Sequence, residues 1–229
     1  MGVPKFFRWI SARYPCINLV VHADEVPDID HFYLDMNGIL HTCSHPDDGT
    51  RYMTEETIFQ NIKNYIQFLV QLIRPRKTLF LAVDGVAPRA KMTQQRARRF
   101  QSAQEARTAK ANAEKRGEVL EGEPFDPCVI SPGTEFMERL HNYLLQFIKE
   151  QVAQNEAWRH VDVIYSGHDC PGEGEHKIRE YMSYKRGLPD YQPNERHCIY
   201  GMDADLIFLG LTTHEINMCI LRENIVKAR

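Results

Sequence analysis

Residues 31–38 read HFYLDMNG, a short apolar run that ends in an acid, and this pattern decides the fold. It recurs at residues 78–85, TLFLAVDG, and at residues 198–206, CIYGMDADL. Short apolar runs bounded by turn residues are typical of buried β-strands. Helical patterns separate the runs, and strands that alternate with helices predict an α/β fold, with a mostly parallel central sheet flanked by helices.

Three of the intervening segments have helical patterns. Residues 54–74 carry an apolar stripe, with Thr54 placed to cap the helix and Pro75 to end it. Residues 134–152 repeat this pattern. Residues 89–116 are rich in Ala, Gln and Arg and have little apolar stripe, so we expect an exposed helix that crosses a site or lies along a ligand.

The composition limits the class of protein. At 229 residues, with 43% apolar and 26% charged residues, the chain has the make-up of a soluble globular protein, and we expect residues 1–229 to form a single domain. No apolar run approaches the ~20 residues of a membrane span, so no membrane partner is predicted. The six cysteines form no C-x-x-C pair, which predicts reduced thiols in a cytosolic or nuclear protein. Nothing in the sequence indicates an organic cofactor.

Four short motifs place acids just beyond predicted strands. Three directly follow an apolar run, and the fourth, PGEGEH, follows the run at residues 161–166 and a short glycine-rich loop. Ligands bind beyond the carboxyl ends of parallel strands, and a lone buried carboxylate is costly, so we expect these acids to converge on cations. Oxygen ligands favour Mg²⁺ or Mn²⁺, and two such ions are predicted. We call these acids the acidic cluster: Asp35, Asp84, Glu173, Glu175, Asp203 and Asp205.

Each motif also has a simpler interpretation. A strand that ends in Asp-Gly, as in AVDG, is often only a turn, and the acids of DADL could cap a helix. A zinc site from His168, Cys170 and His176 is an alternative by composition, although the spacing lacks a second ligand pair. The combination of four motifs favours the divalent-cation site.

The charge of the chain is unevenly distributed. Residues 85–117 hold nine Lys or Arg and two acids, so this segment is +7 although the whole chain is −3. An ammonium, an amide and two guanidinium groups lie there at i, i+4, i+7 and i+8, on one helical face that can surround a terminal phosphate. A solvated, arginine-rich helix is the simpler interpretation. We call these residues the basic face: Lys91, Gln95, Arg98 and Arg99.

Motifs over nearly the whole chain resemble the Xrn-type 5′→3′ exoribonuclease family. They are MGVPKFFRW, YLDMNGILH, VDGVAPRAKMTQQRARRF, SPGTEFM, PGEGEHKI and GMDADLIFLGL. The resemblance implies a core similar to flap endonucleases and other PIN-like nucleases, with the acidic cluster as the catalytic metal ligands. It implies that the basic face binds the 5′ monophosphate of RNA. His41 matches a histidine that stacks on a base near the 5′ end, and Pro88 matches a residue that excludes duplexes.

The resemblance also implies a function. It is Mg²⁺-dependent hydrolysis of single-stranded RNA from a 5′-monophosphate end to 5′ mononucleotides, in messenger RNA decay and alongside the decapping machinery. The short spacing between MGVPKFF and YLDMNG is similar to the cytoplasmic branch of the family, with the nuclear branch as the alternative. Family members continue into a second conserved region, with another metal-binding Asp and a stacking aromatic. These 229 residues lack it, so we expect a truncated part of a longer protein or a degenerate copy.

Two other functions are compatible with these residues. A flap- or gap-type DNA endonuclease would use the acidic cluster without needing the basic face. A non-catalytic RNA-binding remnant would explain why the second conserved region is lacking. An aspartyl-nucleophile phosphatase is excluded, because that chemistry needs an acid two residues after Asp35, where Asn37 stands.

Overall fold

The computed structural model describes residues 5–22, 25–44, 53–115 and 125–223. Within them, five strands form one sheet in the order β3-β2-β1-β4-β5, and every pairing is parallel. The predicted α/β class, with a central parallel sheet flanked by helices, is therefore confirmed. The strands are β1 His31–Asp35, β2 Thr78–Ala82, β3 Asp162–Ser166, β4 Arg196–Tyr200 and β5 Asn217–Leu221.

The helices of the described residues are α1 Phe6–Arg13, α2 Met36–Ser44, α3 Glu55–Ile73, α4 Arg89–Lys115, α5 Glu135–Gln154, α6 Glu156–Arg159, α7 Gly174–Arg186 and α8 Asp205–Thr213. The two amphipathic helices begin where the sequence predicts, because each has a threonine cap. Thr54 Oγ1 accepts a hydrogen bond from Thr57 N–H at 3.2 Å, and Thr134 Oγ1 accepts one from Met137 N–H at 3.3 Å. Each cap satisfies a main-chain donor that the helix itself leaves unpaired.

The central strands β1, β2 and β4 are covered by helices on both faces, whereas no residue of the edge strands β3 and β5 is buried. Phe32 and Leu34 of β1 pack in a larger core with α2, α3 and α5, whereas Tyr33 packs in a smaller core with α7 and α8. Ile62 and Ile66 of α3 are fully buried in the larger core. Because both of their faces are covered, the central strands are mostly buried, and this explains their short continuous apolar runs in the sequence.

The strand order reverses between β1 and β4. From β1 the chain continues to β2 and β3 on one side of the sheet, whereas β4 and β5 lie on the other side. In a parallel α/β sheet a crevice opens at such a point, beyond the carboxyl ends of the two strands. Asp35 is the last residue of β1, so the crevice opens beside one of the predicted metal ligands.

Two helices lie largely outside the core. Residues 96–101 of α4 are all exposed, as predicted for a helix with little apolar stripe. The apolar residues near the start of the sequence predict a docked helix, and Phe6 of α1 stacks on Phe208 at 4.6 Å. However, no residue of α1 is buried and Trp9 is 61% exposed, so this helix rests on the surface.

Across the described residues, every helix is too short or too polar to cross a membrane.

Other sequence predictions have mixed outcomes. All six cysteines are free, as predicted. Residues 117–127, GEVLEGEPFDP, have the composition of a loop, and most of them lie outside the described residues, as do residues 1–4 of the first motif. The division of the chain into one domain over residues 1–229 stays a prediction.

Candidate metal centre and phosphate pocket

The carboxyl edge of the sheet holds a cavity of about 520 Å³. Five of the six acids of the acidic cluster line it, together with all four residues of the basic face and His41. These residues come from the ends of strands, the first turn of α7, the last turn of α2 and the first three turns of α4. The fold therefore brings the two predicted sites together in a single cavity.

Asp35 and Asp84 lie side by side because their strands are neighbours in register. Asp35 pairs with Ala82, and Asp84 follows two residues later. Asn37 connects the two acids: its main-chain N–H hydrogen-bonds the Asp35 carboxylate, and its Oδ1 accepts from Asp84 N–H at 2.9 Å. This contact of Asn37 with both acids was not predicted from the sequence, where Asn37 served only to exclude a phosphatase. Its place just after an acid at a strand end was the available signal.

The amino end of α7 enters between these two acids. Gly174 N–H donates to Asp84 Oδ1 at 2.6 Å. A Cβ at Gly174 would lie 3.0 Å from Ala82 O and 3.1 Å from Asp35 Oδ1, so a larger residue at this position would require these neighbours to shift by a few tenths of an ångström. Glu173 and Glu175 flank this glycine and are thereby held beside the strand acids. The positive end of the helix dipole faces the acids and partly offsets their repulsion.

Asp203 and Asp205 approach from the other side of the crevice, at the turn between β4 and α8. Asp203 lines the cavity, whereas Asp205 begins α8 outside the cavity wall. Its charge nevertheless acts on Glu175. Arg222, beyond β5, donates to the main-chain oxygen of Asp203 at 3.0 Å and so holds this turn in place.

Burial and mutual repulsion raise the pKa values of the clustered acids. Burial, followed by the charges of Asp84 and Glu175, raises the pKa of Asp35 to about 7. Burial, followed by the charge of Asp203, raises the pKa of Glu175 to about 7. Burial also raises the pKa of Asp84, although the hydrogen bond from Gly174 opposes this. The cluster therefore resists full ionisation at neutral pH unless positive charge is supplied.

The donor set fits hard divalent cations. In the described part of the chain, ligand atoms of Glu173, Glu175 and His176 lie within 4.8 Å of one another and could share one ion. Most of the donors are carboxylate oxygens, which favour Mg²⁺ or Mn²⁺. His176 was not predicted as a member of this set, although it directly follows GEGE in the sequence. Among the described residues, no such group of three includes His168 or Cys170, so the geometry does not support the zinc alternative.

The basic face meets the acidic cluster at an ion pair. Lys91 Nζ lies 2.7 Å from Glu173 Oε2. Burial works against the charge on Lys91, but the hydrogen bond and charge of Glu173 outweigh it and raise the pKa of the lysine. Arg98 and Arg99 line the same cavity and are exposed. The basic face is thus open to a ligand from solvent and directly adjacent to the acids.

His41 and Pro88, whose roles only the resemblance implies, lie near the cavity. His41 is exposed in the last turn of α2 and lines the cavity wall. Pro88 is exposed and directly precedes α4, where its carbonyl oxygen accepts from Lys91 N–H at 2.9 Å. It is not part of the cavity wall. Base stacking by His41 and duplex exclusion by Pro88 stay predictions.

Comparison with known proteins places this architecture in a family. Residues 1–224 match the family described as XRN 5'-3' exonuclease N-terminus. The chain is similar to 5'-3' exoribonuclease 1 of Schizosaccharomyces pombe, with 51% identity over 98% of the chain, and to 5'-3' exoribonuclease 1 of Homo sapiens, with 52% identity over 98%. It is 44% identical to 5'-3' exoribonuclease 2 of Arabidopsis thaliana over 97% of the chain. These matches span 17%, 13% and 25% of the three relatives, respectively. The α/β fold agrees with the PIN-like nuclease core expected from the motifs, and the chain belongs to the XRN 5'-3' exonuclease N-terminal family.

Proposed function

We propose that this chain carries the active site of a Mg²⁺-dependent 5′→3′ exoribonuclease. The enzyme would hydrolyse single-stranded RNA from a 5′-monophosphate end and release 5′ mononucleotides. The contact between Lys91 and Glu173 carries the proposal, because it joins the basic face to the acidic cluster within one cavity. A terminal phosphate and the first internucleotide phosphodiester would then occupy neighbouring parts of that cavity. The printed names of the relatives, 5'-3' exoribonucleases, support the same activity.

The chain's own residues would bind the RNA end and orient the ligands. The basic face supplies charged donors that hold the terminal phosphate and set which bond reaches the acids. The acidic cluster would hold the divalent cations, and Asn37 and Gly174 orient Asp84 through their hydrogen bonds. When bound, two such ions supply an activated water and stabilise the departing 3′ oxygen. No side chain is assigned as a general base.

The basic face would also select the 5′ end. A monophosphate pairs with its charges, whereas a 5′ hydroxyl leaves them without a partner. A cap or a triphosphate adds bulk and charge for which the face has no matching groups. At the cavity wall, His41 would stack on a base, a contact worth about 1–3 kcal/mol. Pro88, at the start of α4, would obstruct a duplex.

In the cell, the proposed substrate is decapped messenger RNA, because decapping leaves a 5′ monophosphate. The proposed partners are the decapping machinery, and the proposed compartment is the cytoplasm, with the nucleus as the alternative. Accumulation of decapped messenger RNA in cells that lack the protein, and microscopy of a tagged protein, would test these proposals.

The direct test uses matched single-stranded RNAs that carry a 5′ monophosphate or a 5′ hydroxyl, with Mg²⁺ and the full-length protein. We expect the monophosphate RNA to be degraded at least about tenfold faster, since a charged hydrogen bond contributes roughly 1.5–3 kcal/mol. Equal rates would refute the assignment of the basic face. Internal cleavage of circular RNA or DNA would instead favour the flap-type endonuclease. Failure to bind two Mn²⁺ with all six acids intact would favour a non-catalytic RNA-binding module.

A further inference from the structure

Lys177 is a buried lysine whose ammonium group, in the part of the chain that the structure describes, donates to two main-chain oxygens. The residue is 7% exposed and lies at the end of the first turn of α7. Its Nζ donates to the carbonyl oxygens of Val83 and Gly167, each at 2.8 Å. Val83 immediately precedes Asp84, and Gly167 immediately follows β3. One side chain therefore connects α7 to the carboxyl ends of two neighbouring strands.

Burial of the Lys177 ammonium group lowers the stability of the fold, because it removes a charge from water. Desolvation lowers the pKa of Lys177, although the charges of Cys170, Asp84 and Asp169 oppose that effect. An apolar side chain of similar length would fill the space without removing a charge from water. Core packing alone therefore gives no reason for a lysine here, and its charge and donors are the features that an apolar residue could not supply.

The connection made by Lys177 lies directly beside the acidic cluster. Its own main-chain N–H donates to Glu173 O at 3.0 Å, within the turn that carries Glu173 and Glu175. In the same turn Gly174 N–H donates to Asp84 Oδ1 at 2.6 Å. Two hydrogen bonds, one from the Lys177 side chain to Val83 O and one from the Gly174 main chain to Asp84, thus join the start of α7 to the end of β2. They set how far the α7 acids lie from Asp84.

We propose that Lys177 is a positioning residue for the acidic cluster. It fixes the amino end of α7 against β2 and β3, and its ammonium group lies behind Asp84, bonded to the preceding residue. The proposal rests on the proposed function, because it assigns Lys177 to the same cation site. The charges support it: two divalent cations together with Lys91 and Lys177 would balance the six carboxylates. Loss of Lys177 would let the start of α7 shift relative to β2, so that Glu173, Glu175 and Asp84 would share cations less well.

Three replacements in the full-length protein separate the charge from the hydrogen bonds. Lys177→Met removes both, Lys177→Gln keeps an amide donor without the charge, and Lys177→Arg keeps the charge and the donors. Lys185→Met, in the last turn of the same helix, is the matched control. The readouts are Mn²⁺ affinity by calorimetry, thermal unfolding with and without EDTA, and kcat and KM on 5′-monophosphate RNA.

We expect Lys177→Met to weaken Mn²⁺ binding by about 10- to 100-fold and to lower kcat by a similar factor, as for other residues that orient metal ligands. KM for RNA should change little, because the basic face is untouched. Lys177→Gln should be intermediate, Lys177→Arg should retain more affinity than either, and Lys185→Met should behave as wild type.

A lower melting temperature for Lys177→Met, with Mn²⁺ affinity and kcat unchanged, would show a merely structural role and overturn the proposal. If Lys177→Met does not fold, the Mn²⁺ affinity of Lys177→Gln decides in the same way. A wild-type protein that binds Mn²⁺ but does not degrade RNA would refute the proposed function. The comparison of Mn²⁺ affinities would still test the role of Lys177.

Discussion

Replacement of Asp35 by Asn is expected to stabilise the cation-free protein at pH 8. Burial, together with the charges of Asp84 and Glu175, raises the pKa of Asp35 from 3.8 to about 7. Because the folded-state pKa lies above the unfolded one, this carboxyl favours folding fully below about pH 4. That contribution is lost as the pH rises through about 7. At pH 8 the ionised Asp35 therefore opposes folding, and an amide of the same shape removes the cost.

The magnitude follows from the two pKa values of Asp35. The difference between 3.8 and about 7 corresponds to about 4 kcal/mol of unfolding free energy. Part of the shift comes from repulsion by Asp84 and Glu175, whose own pKa values are also raised, so the cost is shared within the cluster and the single replacement relieves only part of it. We expect a gain of about 2–4 kcal/mol, or roughly 4–16 °C in melting temperature for a chain of this size.

The assay is thermal unfolding followed by circular dichroism, in EDTA, at pH values from 5 to 8. Asp162→Asn is the matched control, since Asp162 is exposed and begins β3, at the opposite edge of the sheet from the cavity. Wild type and control should lose stability toward pH 8, whereas Asp35→Asn should lose less. Mn²⁺ should then stabilise wild type more than Asp35→Asn, because the variant lacks a cation ligand. If Asp35→Asn is no more stable than wild type at pH 8 in EDTA, Asp35 does not belong to a repulsive, cation-binding cluster.

Lys91→Met should lower kcat/KM on 5′-monophosphate RNA by about 10- to 100-fold through loss of a charged hydrogen bond, and change the rate on 5′-hydroxyl RNA by less than about threefold. An equal loss on both RNAs would contradict the phosphate-binding role. Gly174→Ala should weaken Mn²⁺ binding in calorimetry by about tenfold, because its Cβ would lie 3.1 Å from Asp35 Oδ1; unchanged affinity would show that α7 can shift without harm to the site. Burial and the charge of nearby His31 lower the pKa of His197 from 6.5 to about 4. The unfolded state therefore binds the proton more readily, and this histidine should remove about 3 kcal/mol of stability as the pH falls from about 6.5 to 4. Urea unfolding of wild type and His197→Gln measures that loss as the difference between their pH profiles, and parallel profiles would disprove it.

The helices and strands could be predicted from the sequence because their signals are local. The pattern at residues 54–74 predicts α3, which spans Glu55–Ile73, and the pattern at residues 134–152 predicts α5, which spans Glu135–Gln154. In both, a threonine cap and an apolar period of 3.6 residues act over a few neighbouring positions. The burial of the terminal helix α1 was predicted less well than its position. Apolar residues indicate that a helix packs on another surface, but they do not show how large that surface is.

The site could be predicted only in part. Acids that follow buried strands are recognisable in the sequence, and a parallel sheet brings strand ends to one edge. The structure adds the contacts between them, such as Gly174 with Asp84 and Lys91 with Glu173. Lys177 was not predicted at all, because a lysine among polar neighbours is typical of an exposed helical face. The cation-binding, phosphate-binding, stacking and duplex-excluding roles stay predictions.

By itself, the sequence determined the family, the alternation of strand and helix, and the acidic and basic residues that the chain brings to one edge of a sheet. Only the tertiary structure decided the strand order, the crevice between β1 and β4, and the burial of Lys177 behind Asp84. The physical reason is distance. Hydrophobic period and helix capping act between near neighbours in the chain, whereas burial, repulsion and cation sharing depend on separations in space that no local pattern encodes.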